Sequence, residues 1–186
     1  MLIAIIVIVV LLVVLALIVI GLNNSMIGAR NRVDESWSGI DVQLKRRHDL
    51  VPNLVETVKG YATHEREVFE KVTSARAEAT KAHTPAEAAQ KEGNLTQALT
   101  DLRAVAENYP DLRATENFQK LQNELTEIED EIQASRRIYN SNVQSFNTKI
   151  QVFPNSIIAN NRGFTPREFF EIENAADREP VQVSFQ

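Results

Sequence analysis

Residues 2–20 read LIAIIVIVVLLVVLALIVI, a run without one polar side chain. Nineteen residues in an α-helix extend about 28 Å, which is close to the thickness of a hydrocarbon core. β-branched residues form helices poorly in water, but in lipid the backbone has to satisfy its own hydrogen bonds. The run therefore predicts a helix that crosses a membrane once.

A cleaved signal peptide and a buried core helix are the alternatives for this run. A signal peptide has a basic stretch before its apolar core and a small-x-small cleavage site after it. Only Met1 precedes the run, and the next residues, GLNNS at 21–25, lack an Ala-x-Ala pattern. A core helix would carry a polar face, and this run has none. We therefore expect a retained anchor at residues 1–24, in the bacterial inner membrane.

The first charged side chains after the anchor are Arg30 and Arg32, and no acidic residue comes before Asp34. The positive-inside rule then favours a cytoplasmic soluble domain. Two arginines give a modest bias and the N-terminal amine acts against it, so an extracytoplasmic domain stays open. Arg30 and Arg32 are also the candidate contacts to lipid headgroups.

The composition excludes several classes of function. The chain has no cysteine, which rules out thiol catalysis, disulfides, thiolate zinc sites and a lipid-modified cysteine. Twenty basic against 25 acidic residues give a net charge of −5. An acidic balance argues against nucleic acid, because phosphate binding needs a basic face. The partners that we expect are the bilayer and other proteins.

The rest of the chain shows apolar residues at helical spacing, interrupted by helix caps. A first stripe covers about 26–61 and continues to about 82. Pro52 predicts a kink near Asp49, and Gly60 predicts another bend. Thr84-Pro85-Ala86-Glu87 predicts a second helix start. Thr115 caps a third helix with a heptad-like seam. That seam contains Phe118, Leu121, Leu125, Ile128, Ile132, Tyr139, Phe146, Ile150 and Phe153.

After Pro154 the pattern predicts an irregular connection and then a short helix that begins at Thr165-Pro166. The tail 181–185 alternates like a strand. The predicted organisation is an anchor at 1–24, a helical bundle at 25–155 and a C-terminal irregular segment with a short helix and tail at 156–186. The fold class that we predict is all-α, with one N-terminal transmembrane helix and an antiparallel (up-and-down) bundle of about four helices.

The sequence offers little for catalysis or for metal binding. His64-Glu65 begins like a zinc-binding motif, but position 68 is Val where a second histidine would have to stand. The acidic stretch 124–131 lacks the Glu-x-x-His pattern of di-iron bundles, so we interpret it as a solvated helix face. Phosphate-binding loops and nucleophile elbows are absent from the sequence. We therefore predict no catalytic, cofactor or metal residue, and a protein that is not an enzyme.

Several blocks of the chain strongly resemble the LemA family of bacterial membrane proteins. They are NRVDESWSGIDVQLKRRHDLVPNLVETVKGYA at 31–62, AENYPDL at 106–112, NFQKLQ at 117–122, RRIYN at 136–140 and the pair Phe153-Pro154. The resemblance implies a short external N-terminus, one anchor and an antiparallel helical bundle, with no assigned enzymatic activity. Some relatives carry a lipid-modified cysteine in place of the anchor, which implies an extracytoplasmic domain in those proteins.

The first soluble helix carries a distinctive polar set, which is either structural support around Pro52 or a partner-binding surface. The set consists of Arg46, Arg47, His48, Asp49 and Asn53. Our leading hypothesis is a membrane-anchored scaffold that binds proteins and self-associates as a homo-oligomer. The alternative is a lipid-organising protein that binds anionic headgroups through Arg30, Arg32 and the basic residues 45–47.

Overall fold

A computed structural model describes residues 1–171 and contains six helices and, within those residues, no strand. The helices are α1 (Leu2–Lys59), α2 (Arg66–Ala79), α3 (Pro85–Glu107), α4 (Pro110–Arg113), α5 (Glu116–Gln151) and α6 (Asn155–Arg162). The predicted all-α class is confirmed. The strand-like tail at 181–185 lies outside the described residues.

The chain divides into two compact units. The anchor unit contains Met1–Gly39 and Arg137–Glu168, and the bundle unit contains Ile40–Arg136 with residues 169–171 of the described chain. α1 is one uninterrupted helix from the predicted anchor to Lys59, and it continues through Pro52 without a loop. The helix has no break at residue 24. The domain boundary predicted at that residue stays a prediction.

The bundle unit is an up-and-down bundle of four helices: the end of α1, then α2, α3 and the first part of α5. The contacts join the end of one helix to the first half of another, so helices in contact run antiparallel. These pairs are Lys59 with Phe69, Lys71 with Asp101, Glu78 with Lys91, Arg103 with Gln122 and Thr57 with Asn117. The core consists of stripe residues such as Ile40, Leu54, Leu95, Leu102, Leu125 and Ile128.

In the anchor unit α5 runs antiparallel to α1. Ring centroids of Trp37 and Tyr139 lie 5.5 Å apart, and Asn142 Nδ2 donates to the carbonyl of Arg32 at 3.3 Å. Lys149 Nζ donates to Ser25 Oγ at 3.0 Å. Residues 2–20 are exposed throughout, and α1 first buries a side chain at Met26. The apolar run is thus long and apolar enough to cross a membrane.

Both predicted caps form as expected. Thr84 Oγ1 accepts a hydrogen bond from the Glu87 amide, with Pro85 in the first turn of α3. Thr115 Oγ1 accepts from the Phe118 amide at the start of α5. Every predicted seam residue of α5 is buried except Phe153, which lies beyond the end of the helix and is 79% exposed.

Two local predictions after Pro154 are wrong. The expected irregular connection is α6, which ends in a Schellman motif: Gly163 adopts φ 71° and the Phe164 amide donates to the Ala159 carbonyl. The helix expected from Thr165 is absent through residue 171. The Asn147 side chain accepts from the Arg167 amide and donates to the Arg167 carbonyl, so both backbone groups are already bonded.

The bend expected at Gly60 is instead a break. α1 ends at Lys59, and the Val58 carbonyl accepts from the amides of Tyr61 and Ala62. Ala62 is fully buried, which fixes the turn against the core. The first predicted stripe therefore belongs to two antiparallel helices and not to one bent helix.

Candidate functional site

The bundle unit contains a buried cluster of charged side chains. Arg47 and His48 lie on the inner face of α1, one turn after the core residue Leu44. Arg47 is 3% exposed, and Glu92, which points inward from α3, is 2% exposed. Because an unpaired charge is costly in the interior, each of these groups needs a partner.

Arg47 joins three helices. Its Nη1 donates to Glu92 Oε2 at 3.2 Å, and its Nη2 donates to Thr96 Oγ1 at 2.8 Å and to Glu129 Oε1 at 2.9 Å. His48 Nε2 lies 2.6 Å from the other Glu92 oxygen. Glu129 belongs to the acidic stretch interpreted as solvated, and it is the member that instead reaches Arg47. We call Arg47, His48, Glu92, Thr96 and Glu129 the arginine cluster.

Pro52 has its own compensation in the structure. A proline has no amide hydrogen, so the carbonyl four residues earlier, that of His48, loses its helical donor. Arg76 Nε of α2 donates to this carbonyl at 2.6 Å. One of the two interpretations of the polar set on the first helix was support for the backbone around Pro52. The group that bonds the free carbonyl, Arg76, comes from another helix.

The five signature residues of the first helix therefore divide into two sets. Arg47 and His48 are buried in the arginine cluster, which supports a structural role for them. Arg46, Asp49 and Asn53 are exposed at spacings of three and four, so they share one outer face of α1. Arg46 Nη1 donates to Gln43 of its own helix, at 3.0 Å. A partner-binding role for these three exposed residues stays a prediction.

The candidate lipid contacts lie in the anchor unit. Arg30 and Arg32 are both exposed, and the Arg30 guanidinium lies 5.7 Å from the centroid of the Phe164 ring. The basic residues 45–47 do not form one surface, because Arg47 is buried. That correction removes Arg47 from the predicted headgroup contacts.

A groove of about 700 Å³ follows the outer side of α2. Its lining residues come from the end of α1, the turn at 60–65 and α2, and they include Lys59, Ala62, Phe69, Thr73, Ser74 and Ala77. Lys59 Nζ lies 5.9 Å from the centre of the Phe69 ring, and Arg66 pairs with Glu70 at the rim at 2.6 Å. The groove could not be recognised from apolar spacing, because Phe69 in its lining is also a buried core residue.

Residues 1–171 contain no group of three or more His, Asp or Glu side chains placed to hold a metal ion. Among these residues His48 is bonded to Glu92, and both Glu92 and Glu129 are bonded to Arg47. The arginine cluster is thus arranged as an internal tie between α1, α3 and α5, with its charges directed at one another.

Most of this chain is similar in sequence to known proteins. The chain is 25% identical over 180 residues to magnetosome protein MamQ 2 of Paramagnetospirillum magneticum, covering 83% of this chain and 66% of the relative. It is 28% identical over 144 residues to protein LemA of Metamycoplasma hominis, covering 75% and 64%. The chain thus spans about two thirds of the length of these curated relatives. The model of the LemA family matches residues 36–185, and the chain therefore belongs to the LemA family.

Proposed function

We propose that this protein is a membrane-anchored helical scaffold, without catalytic activity, that binds a protein partner along the groove of α2. The groove carries the proposal, because it is a concave, partly apolar surface that the described helices leave open. Membrane association is supported by the exposed apolar run at 2–20 and by relatives that include magnetosome proteins.

The chemistry of the groove fits a short amphipathic segment of a protein. Ala77 and the nearly buried Phe69 provide an apolar floor. Thr63 and Ser74 offer hydroxyl groups for backbone or side-chain bonds. The rim carries both signs of charge, from Lys59, Arg66 and Glu70. An amphipathic helix in a groove buries its apolar face on such a floor and places polar groups at the rim.

A non-enzymatic role is supported by how the chain uses its reactive groups. A general acid or base has to reach a substrate, either directly or through one water. Of the buried ionisable side chains, Arg47, His48 and Glu92 bond to one another inside the bundle unit. The names of the relatives likewise contain no enzymatic activity.

Self-association is part of this proposal, but it needs a surface other than the α5 seam. The seam residues within α5 are buried within the chain itself, so they are not available to a second copy. Exposed apolar side chains outside the anchor include Val42, Tyr61 and Ile138. Native mass spectrometry in mild detergent tests this part, and a strict monomer at micromolar concentration would refute it.

The partner surface is tested by a photo-crosslinking amino acid placed at Ser74, in the groove. The same amino acid placed at Asn53 tests the outer face of α1. Placed at Glu127, which is exposed on α5, it serves as a matched helical control. We expect a discrete adduct in cells from position 74 and none from position 127. An adduct from position 53 alone would move the partner to α1, and equal labelling at all three positions would refute a specific surface.

The lipid-organising alternative is favoured by the exposure of Arg30 and Arg32 just beyond the apolar run. It predicts that a fragment from residue 25 onward sediments with vesicles that contain phosphatidylglycerol, and that the R30Q/R32Q variant does so less. Indifference of the fragment to anionic lipid would remove this alternative. The crosslinking experiment would be unaffected by that outcome.

A further inference from the structure

An exposed apolar turn lies between α5 and α6 in the anchor unit. Phe153 is 79% exposed, Ile157 is 56% exposed and Val152 is 47% exposed. Large apolar side chains that stand together at a surface mark a site of contact with a partner or with a membrane. The position of this turn along α1 identifies which of the two it meets.

The antiparallel pairing of α1 and α5 sets the level of the turn. Asn142 lies opposite Arg32, and Lys149 lies opposite Ser25, so seven residues along α5 match seven residues back along α1. The same register carried to Gln151, the last residue of α5, reaches the level of Asn23, two residues from Gly21. The apolar run ends there, and the first polar side chain of α1 after it is Asn23.

α6 returns from this turn alongside the same helices. Asn155 Nδ2 donates to the Lys149 carbonyl at 3.0 Å, which holds the start of α6 against the end of α5. After α6 the Phe164 ring packs on Phe146 with a centroid distance of 6.3 Å. Ala159 is buried, whereas Ile157 points outward. The turn is therefore fixed in place with its apolar side chains directed away from the protein.

The charged side chains nearest to the turn in sequence are basic. The acidic residues of the anchor unit are Asp34, Glu35 and Glu168, and Asp34 is paired with Arg167. The whole chain is acidic, but residues 1–33 and 137–167 contain six basic side chains and no acidic one. Those six are Arg30, Arg32, Arg137, Lys149, Arg162 and Arg167. Among them Lys149 lies in the last turn of α5, just before the turn, and Arg162 is the last residue of α6. Basic side chains beside an apolar wedge are the combination that binds an interface containing anionic lipids.

We propose that the α5–α6 turn is a second membrane contact, in which Val152, Phe153 and Ile157 enter the bilayer interface beside the anchor and Lys149 and Arg162 meet anionic headgroups. This inference rests on the membrane anchoring in the proposed function, but not on the groove or its partner. It gives the anchor unit two points of attachment, so its tilt relative to the bilayer is restricted.

The test uses the absence of native cysteine. The F153C and I157C variants of the full chain each carry a nitroxide label in vesicles of phosphatidylcholine and phosphatidylglycerol. Electron paramagnetic resonance then compares collisions with oxygen, which concentrates in lipid, and with a water-soluble nickel chelate. Ile138, an exposed apolar residue about 20 Å further from the anchor along α5, is the matched control, and Leu11 reports the anchor itself.

We expect the oxygen-to-nickel collision ratio at positions 153 and 157 to exceed that at position 138 several-fold, and the ratio at position 11 to be highest. Equal collision ratios at positions 153 and 138, with a lipid-like ratio at position 11, overturn this inference but not the membrane anchor. A water-like ratio at 11 overturns the anchoring as well. In the K149Q/R162Q background the label at 153 should lie at a shallower depth, and an unchanged depth overturns the headgroup contact.

Discussion

At the scale of single residues, Arg47 of α1 bonds to both α3 and α5. Replacing it with methionine keeps the aliphatic volume but leaves Glu92 buried without its guanidinium, beside His48. Removing one side of a buried ion pair costs about 3–5 kcal/mol. We expect R47M to lower the free energy of unfolding by about 3 kcal/mol, measured by urea unfolding of the full chain in mild detergent.

The adjacent residue provides the control for this prediction. Arg46 is exposed and bonds within its own helix, so R46M should change the free energy of unfolding by less than about 0.5 kcal/mol. Equal losses of unfolding free energy in R47M and R46M would mean that the arginine cluster contributes no more stability than a surface charge. The far-UV circular dichroism of both variants should match that of the wild type before denaturant is added.

Arg76 and Pro52 form a second residue-scale prediction, because one compensates for the other. In R76M the His48 carbonyl loses the donor that Arg76 supplies, and a buried unsatisfied acceptor costs about 1–3 kcal/mol. The P52A substitution restores an amide hydrogen four residues after His48. We therefore expect R76M to be destabilising in the wild-type background and much less so in a chain that already carries P52A.

A double-mutant cycle over these two positions measures the coupling directly. The expected signature is a stabilising interaction free energy of at least about 1 kcal/mol between R76M and P52A. Additive effects would show that the Arg76 contact does not replace the missing helical bond. R66M, which removes an exposed ion pair of the same helix, is the control and should show no coupling to P52A.

At the scale of elements, Tyr139 ties α5 to the extended segment after α6. Its hydroxyl donates to the Glu168 carbonyl at 2.8 Å, and burial raises its pKa to about 12. A tyrosine in the unfolded chain ionises near pH 10. Between these two values the folded state keeps a proton that the unfolded state releases. The stabilisation is therefore complete below pH 10, and it is lost as the pH rises towards 12.

The Y139F variant isolates this contribution. At neutral pH it should be less stable than the wild type by about 1 kcal/mol, the value of one hydrogen bond. As the pH rises from 10 to 12 the difference between the two proteins should shrink, because only the wild type carries this group. Thermal unfolding across that range is the measurement. Y61F alters an exposed ring, so its difference in stability from the wild type should not shrink over this pH range. A difference between Y139F and the wild type that stays constant would contradict the assignment of the raised pKa to Tyr139.

The elements that local sequence signals define were predictable. The caps at Thr84 and Thr115 and the seam of α5 depend on residues within a few positions of one another, so they can be recognised without a structure. The segment after Pro154 was not predictable in the same way. Thr165-Pro166 resembles a helix start, but Asn147, twenty residues earlier, takes up the backbone of Arg167.

The arginine cluster was also hard to predict, because its members lie far apart in the sequence. Arg47 and His48 stood out in the sequence, but their partners Glu92 and Glu129 lie 44 to 82 residues away along the chain. No periodic pattern connects positions so far apart. Nothing in the local sequence singles out Glu92, and Glu129 belongs to the stretch interpreted as solvated. The structure is needed to decide that Arg47 faces inward while Arg46 faces water.

At the scale of the whole molecule, charge is distributed unevenly along the chain. Net acidity belongs to the stretches outside residues 1–33 and 137–167, whereas the charged side chains within those two stretches are all basic. Arg30 and Arg32 follow the apolar run directly, and Lys149 is brought to the level of Ser25 by the fold. Lysine and arginine close to the end of a membrane helix are retained on the cytoplasmic side. The same charges also suit the anionic surface of the cytoplasmic leaflet.

This distribution predicts that the soluble domain faces the cytoplasm. A C-terminal tag on the full chain should resist protease in intact spheroplasts and be digested after the membrane is lysed, while an endogenous periplasmic domain is digested in both. The R30Q/R32Q variant removes the two basic residues nearest the anchor, so a fraction of its tags should become accessible. Digestion of the wild-type tag in intact spheroplasts would place the bundle outside the cytoplasm. The groove of α2 and the α5–α6 turn would then have to meet partners and lipids of the cell envelope.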